Sequence, residues 1–554
     1  MRLSLRTLLG VAITAALGTG AALWATTAGA AHSAAAPTIT VLYGTAPDYL
    51  DPQEGYTTQS AEANWISHLG LYSYAHKAGA AGGAVIPALA TGQPKVTNGG
   101  KTYTMTLRPN LKYSDGTAVK ASDFTYSIER ALKLNWGGDP FYTGYIVGAA
   151  AYQKGTSKTI SGIVTNNATG KIVIHLLTAY GPFPNILAFP SSGFVPTGTP
   201  MKTATTTMPA GVGPYMITNV NPGKSWEGQI DPYYAKEAIP GIPVAKVNVQ
   251  ARVEANTATE TEDVLNNTAD VFDTGDVISP SLLAQVKSQA ANRYGTTPVV
   301  QTFYFFLNTK TKPFNSQLVR EAVVMSIDRN ALSRLDSGNL VPGCYFLPIG
   351  MIGHPTKPCP YGDPAKSPTA ATIAKAKRLI AQAGDTGAPV TVYSEERQPR
   401  TQFVTYYASV LTELGFKVNI KSIVDTNYFP TVGNLKLNAQ TGFADWLQDF
   451  PNPADFYLLL DKNSIQPVNN QNFSQVNDPK IQNAITQLDA LPPSQLQAHA
   501  KDWAALDYYV AQKAYEVVYG YPVDPTFVSN RINFKAAKVQ PTYGWDWTSF
   551  QLAG

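Results

Sequence analysis

The segment from residue 389 to residue 420 most strongly limits the folds open to this chain. Residues 389–394 (PVTVYS) predict a strand. The apolar side chains that follow fall on one helical stripe: Phe403, Tyr407, Val410, Leu411 and Leu414. Gly415 then suits a helix C-cap, and Val418 and Ile420 begin a second strand. A strand, a helix and a strand with short joints form a parallel crossover unit, which is typical of α/β domains.

Other segments show the same mixture of strands and helices. Strands are predicted over 38–43, 102–108 and 171–177. Helices are predicted after Ser122 as N-cap, over 318–327, and over 373–383 before Gly384. Because no repeat of about 20–50 residues accompanies them, we expect α/β domains rather than a solenoid. Residues 191–214, rich in Gly, Pro and Thr, predict a crossing between domains.

The first 30 residues have the pattern of a secretory signal peptide. Arg2 and Arg6 precede a nearly unbroken apolar run from 8 to 24, and Ala28-Gly29-Ala30 forms a small-residue cleavage site. We expect cleavage after Ala30. The alternative is an uncleaved anchor, although a run of about 17 residues is a marginal membrane span. No Cys lies near the site, so no lipid attachment is expected, and the mature protein should be periplasmic, in the cell envelope or secreted.

Composition excludes several classes of protein. Hydrophobic residues make up 44% of the chain and charged residues 14%, which rules out a disordered or fibrous protein. Lys and Arg total 42 and Asp and Glu 38, so the net charge of +4 is close to neutral for 554 residues. We therefore expect no nucleic-acid partner.

Two cysteines, Cys344 and Cys359, lie close together in a segment rich in Gly and Pro. In an exported protein such a pair predicts a disulfide. A metal site is the weaker alternative, because His354 lies between the cysteines but no fourth ligand is evident.

The common catalytic motifs are missing from the sequence. It contains no His-Glu-x-x-His, no Gly-x-Ser-x-Gly, no Walker loop and no Gly-x-Gly-x-x-Gly. None of the 6 His residues stands in a metal-like pair. We expect no cofactor, no metal and no enzymatic activity. A carboxylate pair formed in space, as in a glycosidase, remains open but nothing in the sequence favours it.

Four segments carry a resemblance to a known family. Residues 87–132 run from Pro-Ala-Leu-Ala through a Leu-Arg strand end and an Asp-Gly-Thr turn to a helix. Residues 211–235 contain Gly-Val-Gly-Pro-Tyr, 303–332 contain Leu-Asn-Thr and Ile-Asp-Arg, and 444–456 read ADWLQDFPNPADF. In this order they resemble the solute-binding proteins of bacterial ABC importers, in the oligopeptide/dipeptide/nickel-binding family, family 5. Asp231 departs from the pattern, since Asn is commoner there.

The resemblance implies a two-lobed α/β fold of the periplasmic-binding-protein type, class II-like with an extra domain, and a ligand cleft between the lobes. Carried over to this chain, the first lobe is discontinuous and comprises 37–68, 193–300 and 521–554. The extra domain is 69–192 and the second lobe is 301–520. A hinge between the lobes closes them around the ligand.

The resemblance also implies where a ligand binds. In the peptide-binding branch the segment matching Asp445, Trp446 and Leu447 pairs its main chain with an extended peptide, and the residue matching Asp449 receives the α-ammonium group. The alternative for Asp449 is that it caps a helix starting near Pro453. Weaker candidates are Arg397 and Arg400 for a ligand carboxylate, and Tyr49, Tyr142 and Tyr145 as aromatic lining.

The function implied is that of the substrate-binding component of an ABC transporter. It would capture peptides by lobe closure, act as a monomer, and deliver them to membrane permease subunits. Alternatives are a nickel chelate, an oligosaccharide or an opine-like cation as the solute, a signalling protein built on the same fold, or a secreted hydrolase that uses carboxylates.

Overall fold

Strands and helices alternate along a computed structural model that describes residues 36–234, 239–468 and 470–554. The predicted signal peptide lies outside the described residues. The strands are β1 Thr38–Tyr43, β2 Tyr72–Tyr74, β3 Val85–Pro87, β4 Lys95–Thr97, β5 Thr102–Thr106, β6 Ile163–Asn166, β7 Lys171–His175, β8 Tyr215–Asn221, β9 Ser225–Ile230, β10 Asn248–Val253, β11 Tyr294–Pro298, β12 Gln301–Leu307, β13 Leu340–Pro342, β14 Pro389–Glu395, β15 Lys417–Ile423, β16 Thr441–Leu447, β17 Glu516–Phe527, β18 Val539–Gln540 and β19 Gly544–Trp545.

The helices are α1 Thr58–Asn64, α2 Ala121–Lys133, α3 Pro140–Thr143, α4 Ala149–Gln153, α5 Phe183–Ile186, α6 Thr257–Leu265, α7 Pro280–Gln289, α8 Gln317–Ser326, α9 Arg329–Leu335, α10 Ala370–Ala383, α11 Arg400–Glu413, α12 Asp425–Val432, α13 Pro453–Tyr457, α14 Pro479–Asp489 and α15 Ala500–Gln512. In the part of the chain that the structure describes, none of these helices is both long enough and apolar enough to cross a bilayer.

The first lobe is built on a four-stranded sheet in the order β1-β10-β9-β8. The alternating sequence of β1 buries Ile39 and Val41 on one face. Strand β10 pairs parallel with β1 and antiparallel with β9. Trp545 and Trp547, far along the chain, complete the core of this lobe.

A second four-stranded sheet, β4-β5-β7-β6, is antiparallel throughout and packs against α2. The prediction of Ser122 as the N-cap of α2 was wrong, because the helix begins at Ala121 and its N-cap is Lys120, two residues earlier. Asp123 serves the helix end instead: its Oδ2 accepts a hydrogen bond from Lys120 N at 2.8 Å. The hydrophobic core of this sheet is continuous with that of the first lobe.

The second lobe is built on the mixed sheet β11-β17-β12-β16-β14-β15, with β13 paired to β17. The predicted crossover unit is confirmed, since β14 and β15 pair in parallel from Pro389–Lys417 to Glu395–Ile423 and α11 connects them. Gly384 and Gly415 follow α10 and α11 with φ values of 76° and 99°. Only Gly adopts this backbone region without strain, which explains both helix ends.

Strand β17 connects the two lobes. It pairs with β12 and β13 inside the second-lobe sheet and, over its last residues, with β11. At its end, Phe272 N donates to Phe527 O at 3.0 Å, which ties the strand to the first lobe. Pro522 and Pro525 lack backbone N–H donors and so interrupt the ladder of this strand. A hinge between the lobes stays a prediction. The domain boundaries given above stay a prediction.

Cys344 and Cys359 form a disulfide. We expect the Cys344→Ser/Cys359→Ser double variant to lose up to about 3 kcal/mol of unfolding free energy, because a loop of this size is then free in the unfolded chain. Tyr345 OH donates to Lys357 O at 2.7 Å and holds the same loop in the folded protein. The loss of unfolding free energy should therefore not exceed about 3 kcal/mol. Urea denaturation of native, reduced and double-variant protein measures the shift. An unchanged midpoint in both altered forms would contradict it.

Candidate functional site

A cavity of about 750 Å³ lies between the two lobes. One wall comes from the first lobe, from α1, from residues 273–277 and from residues 539–544. The opposite wall comes from the second lobe, from residues 335–339, 397–402 and the end of β16. Residues 297–299 and 522–525 of the connecting strands form the floor. A cavity of this position and size can enclose a small solute when the lobes close.

Strand β16 presents an open edge in this cavity. Its antiparallel pairing with β12 extends to Leu447, but its parallel pairing with β14 stops at Gly442. Gln448 N donates to Val300 O at 3.0 Å, so the alternation of the ladder turns the main chain of Asp445 and Leu447 away from β12. On that side no described strand pairs with them, and both residues line the cavity.

Arg397 and Arg400 both reach the cavity, but they differ in what they contact. Arg400 is paired with Glu395 at 2.6 Å and Asp445 at 2.8 Å, and its guanidinium lies over the Phe443 ring at 4.6 Å. Two carboxylates therefore balance its charge. Arg397 is exposed and forms no ion pair among the described residues. Of the two, Arg397 is the residue available to a ligand carboxylate.

Trp446 and Asp449 meet at a second carboxylate, Asp455. Trp446 Nε1 donates to Asp455 Oδ2 at 3.3 Å, and Asp449 N donates to the same oxygen at 2.8 Å. Tyr56 of the first lobe donates its hydroxyl to Asp449 Oδ2 at 2.9 Å. Burial raises the pKa of Asp449 to about 6, and burial together with the Asp449 charge raises the pKa of Asp455 well above its ordinary value. Burial and the charge of Asp449 thus oppose a second negative charge at Asp455.

The alternative role of Asp449 as a helix cap does not fit the structure. Helix α13 begins at Pro453, and its cap is Asn452, whose side chain accepts from Ala454 N at 3.0 Å. Asp449 does not line the large cavity itself, but its charge acts on Tyr543, which does. Its carboxylate is linked to the first lobe through the Tyr56 hydroxyl.

The three tyrosines proposed as lining lie outside the cavity. Tyr142 is fully buried, and its hydroxyl is engaged with Ser191 and Ser192 at 2.8 and 2.7 Å. Tyr145 stacks on Tyr180 with ring centroids 3.9 Å apart. Tyr49 is 43% exposed at the surface. In this conformation Tyr142 is a core residue, and a role for the other two in binding stays a prediction.

Sequence reasoning missed most of the carboxylates of the cavity. They are Glu62, Asp273, Asp276, Asp336 and Asp524. Residues 269–273 (ADVFD) have the pattern of a buried strand that ends in an acidic residue, and this signal could have indicated Asp273. Asp336 follows a helix and Asp524 stands between prolines, and neither context singles out a binding residue.

The molecule has two α/β lobes joined by a strand, and a solute-sized cavity lies between them. This is the architecture of a protein that binds solutes by closing. The model of the bacterial extracellular solute-binding proteins, family 5, matches residues 84–467, well over half of the chain. The chain belongs to this family. The predicted resemblance and the predicted two-lobed fold are thereby confirmed.

Relatives and solved structures agree with this assignment. The chain is 24% identical to the periplasmic murein peptide-binding protein MppA of Escherichia coli, over 78% of this chain and 79% of that one. It is 24% identical to the dipeptide-binding protein DppE of Bacillus subtilis, but this alignment spans only 46% of either chain. Among solved structures, the clavulanic acid biosynthesis oligopeptide binding protein 2 superposes with a TM-score of 0.83 at 19% identity, covering 94% of this chain and 96% of that one.

Proposed function

We propose that the protein captures peptides outside the cytoplasm and delivers them to the permease of an ABC importer. The observation that carries this proposal is the open edge of β16 in the cavity. An extended peptide can add to such an edge through main-chain hydrogen bonds, which read no side chain and so tolerate many sequences. Relatives whose names specify dipeptide and murein peptide binding support the choice of peptide over oligosaccharide.

Charged groups at both ends of this edge suit the two ends of a peptide. Asp449, beyond β16, is the proposed partner of the α-ammonium group, which displaces the Tyr56 hydroxyl from the carboxylate. Arg397, on the opposite part of the wall, is the proposed partner of the α-carboxylate. Charge-assisted hydrogen bonds of this kind are strong where water is excluded. The protein would work as a monomer without a lipid anchor.

Native mass spectrometry of protein purified from its own cell envelope tests this function. We expect bound peptides that leave on denaturation, and calorimetry with those peptides should show saturable binding. Incubation with the same peptides should give no cleavage products, which separates a binding protein from a secreted hydrolase. Bound sugars or metal chelates in place of peptides, or turnover of the bound peptide, would contradict the proposal.

A further inference from the structure

The cavity wall carries more carboxyl groups than cations. Among the described residues, six carboxylates line it: Glu62, Asp273, Asp276, Asp336, Asp445 and Asp524. Only two guanidinium groups line it, and one of them, Arg400, is already balanced by Glu395 and Asp445. Glu62 is also satisfied, since Tyr43 OH and Trp547 Nε1 donate to it at 2.5 and 2.8 Å. The remaining four carboxylates are Asp273, Asp276, Asp336 and Asp524.

Asp336 is the carboxylate that most requires a partner. It is only 7% exposed, and its side chain forms no hydrogen bond and no ion pair with any described residue. Burial alone raises its pKa, to about 7. An ionisable group so buried normally has a partner, because removing a charge from water costs several kcal/mol. Asp336 nevertheless lines the cavity, so a ligand can supply the missing partner.

Asp524 lies on the floor of the cavity and, like Asp336, is a carboxylate without a partner in the described part of the chain. Its carboxylate has no hydrogen-bond or ion-pair partner among the described residues, and its pKa is raised well above the ordinary value by burial and by the charges of Asp273, Asp336 and Asp276. The charges of the other three carboxylates therefore reach Asp524, although two of them belong to the first lobe and Asp336 belongs to the second.

The two first-lobe members differ in their partners. Gly44 N and Gly275 N donate to Asp273 at 3.0 and 2.9 Å. Asp276 Oδ2 is buried and has no hydrogen-bond partner among the described residues. Behind them, burial raises the pKa of Glu260 to about 10. Burial raises the pKa of Asp276, and the charge of the exposed Arg397 acts on it in the opposite direction. No ion pair joins any of the four aspartates to a described residue.

From this geometry we infer that the cavity selects solutes carrying a guanidinium or primary ammonium side chain, which binds among Asp336, Asp524, Asp273 and Asp276. The inference rests on the proposed function and adds its substrate class: basic peptides. An organic cation fits better than a metal ion, because no group of three or more His, Cys, Asp or Glu among the described residues is arranged to hold a metal. A guanidinium group can donate to several carboxylates at once.

Matched peptides test the inference on the native protein. Alanine tetrapeptides carry Arg at each position in turn, and the same peptides carry citrulline, which replaces the guanidinium by a neutral group of nearly equal shape. Calorimetry should show at least one Arg peptide binding tenfold or more tightly than its citrulline partner. In the Asp336→Asn and Asp524→Asn variants, the affinity ratio of the Arg peptide to its citrulline partner should fall to threefold or less. Asp363→Asn, which removes an equally charged but half-exposed side chain outside the cavity, should keep it.

Each outcome decides between the two levels of the proposal. Equal binding of Arg and citrulline peptides at every position overturns the cation site and leaves peptide capture intact. Free arginine or agmatine binding in a way that Asp336→Asn abolishes, with no peptide bound, supports the cation site and overturns peptide capture. No binding of any of these probes overturns both.

The melting temperature of unliganded Asp336→Asn should not fall, because the lost carboxylate has no protein partner. A fall together with lost binding would assign Asp336 a structural role instead.

Discussion

Asp449→Asn should weaken peptide binding roughly 30- to several-thousand-fold. Removing one member of an enclosed charge pair costs about 2–5 kcal/mol, much of which is the penalty of leaving the partner unpaired. At about 1.4 kcal/mol per factor of ten, this gives the stated range in affinity. The melting temperature of the unliganded protein should hold or rise, because the charge of Asp449 opposes ionisation of its neighbour Asp455. Calorimetry and thermal unfolding of the same samples measure both quantities.

Two controls separate an amine anchor from a general loss of structure. N-acetylation of the peptide should weaken binding to the native protein as much as the variant does, whereas C-terminal amidation, which acts at Arg397, should weaken binding to the native protein and to Asp449→Asn by the same factor. Tyr56→Phe removes the hydroxyl that occupies Asp449, so it should leave affinity unchanged or raise it. If Asp449→Asn binds free and acetylated peptides as tightly as the native protein does, Asp449 is not the anchor.

Arg130→Met should lower the free energy of unfolding by about 3–5 kcal/mol, the cost of leaving a buried charge unpaired. The Arg130 guanidinium is fully buried and donates to both carboxylate oxygens of Asp51, at 2.5 and 2.6 Å, and to Gln53 at 2.9 Å. It also donates to the carbonyls of Pro200 and Lys202 at 2.9 Å. The group thus fastens α2 to two distant segments of the chain.

Urea denaturation with matched variants measures this loss. Arg252→Met breaks a pair with Asp263 that is partly open to solvent, with side chains 43% and 26% exposed, and it should cost no more than about 1 kcal/mol. The double variant Arg130→Met/Asp51→Asn should recover part of the loss, because no unpaired charge then remains in the core. A native midpoint for Arg130→Met would show that the pair does not hold these segments together.

The parts of this molecule that could be predicted from sequence are those set by neighbouring residues. The strand at 389–394, the helix before Gly415 and the strand after it depend on side-chain alternation, a helical stripe and one Gly with positive φ. The motif around Trp446 and Asp449 could be found because it is one continuous segment. Local signals of this kind located the wall of the cavity that β16 provides.

The rest of the site is assembled by the fold and leaves no local signal. Tyr56 reaches Asp449 across 393 positions of sequence, and nothing around either residue indicates the contact. Asp336 and Asp524 line the same cavity, and the pairing of β13 with β17 brings their segments together. Whether a cation is ion-paired, as Arg400 is, or free, as Arg397 is, also depends on distant acids such as Asp445.

The placement of Trp545 and Trp547 has a consequence for biosynthesis. Trp547 Nε1 and Trp545 N donate to the buried Glu62, and both rings fill the core beside β1. The first lobe contains the earliest strand, β1, but it is completed last, because its core requires residues near 545. The second-lobe sheet is complete once β17 has been made. The second-lobe sheet can thus form while the first lobe is still open, so the solute cleft is complete only when the residues near 545 have been made.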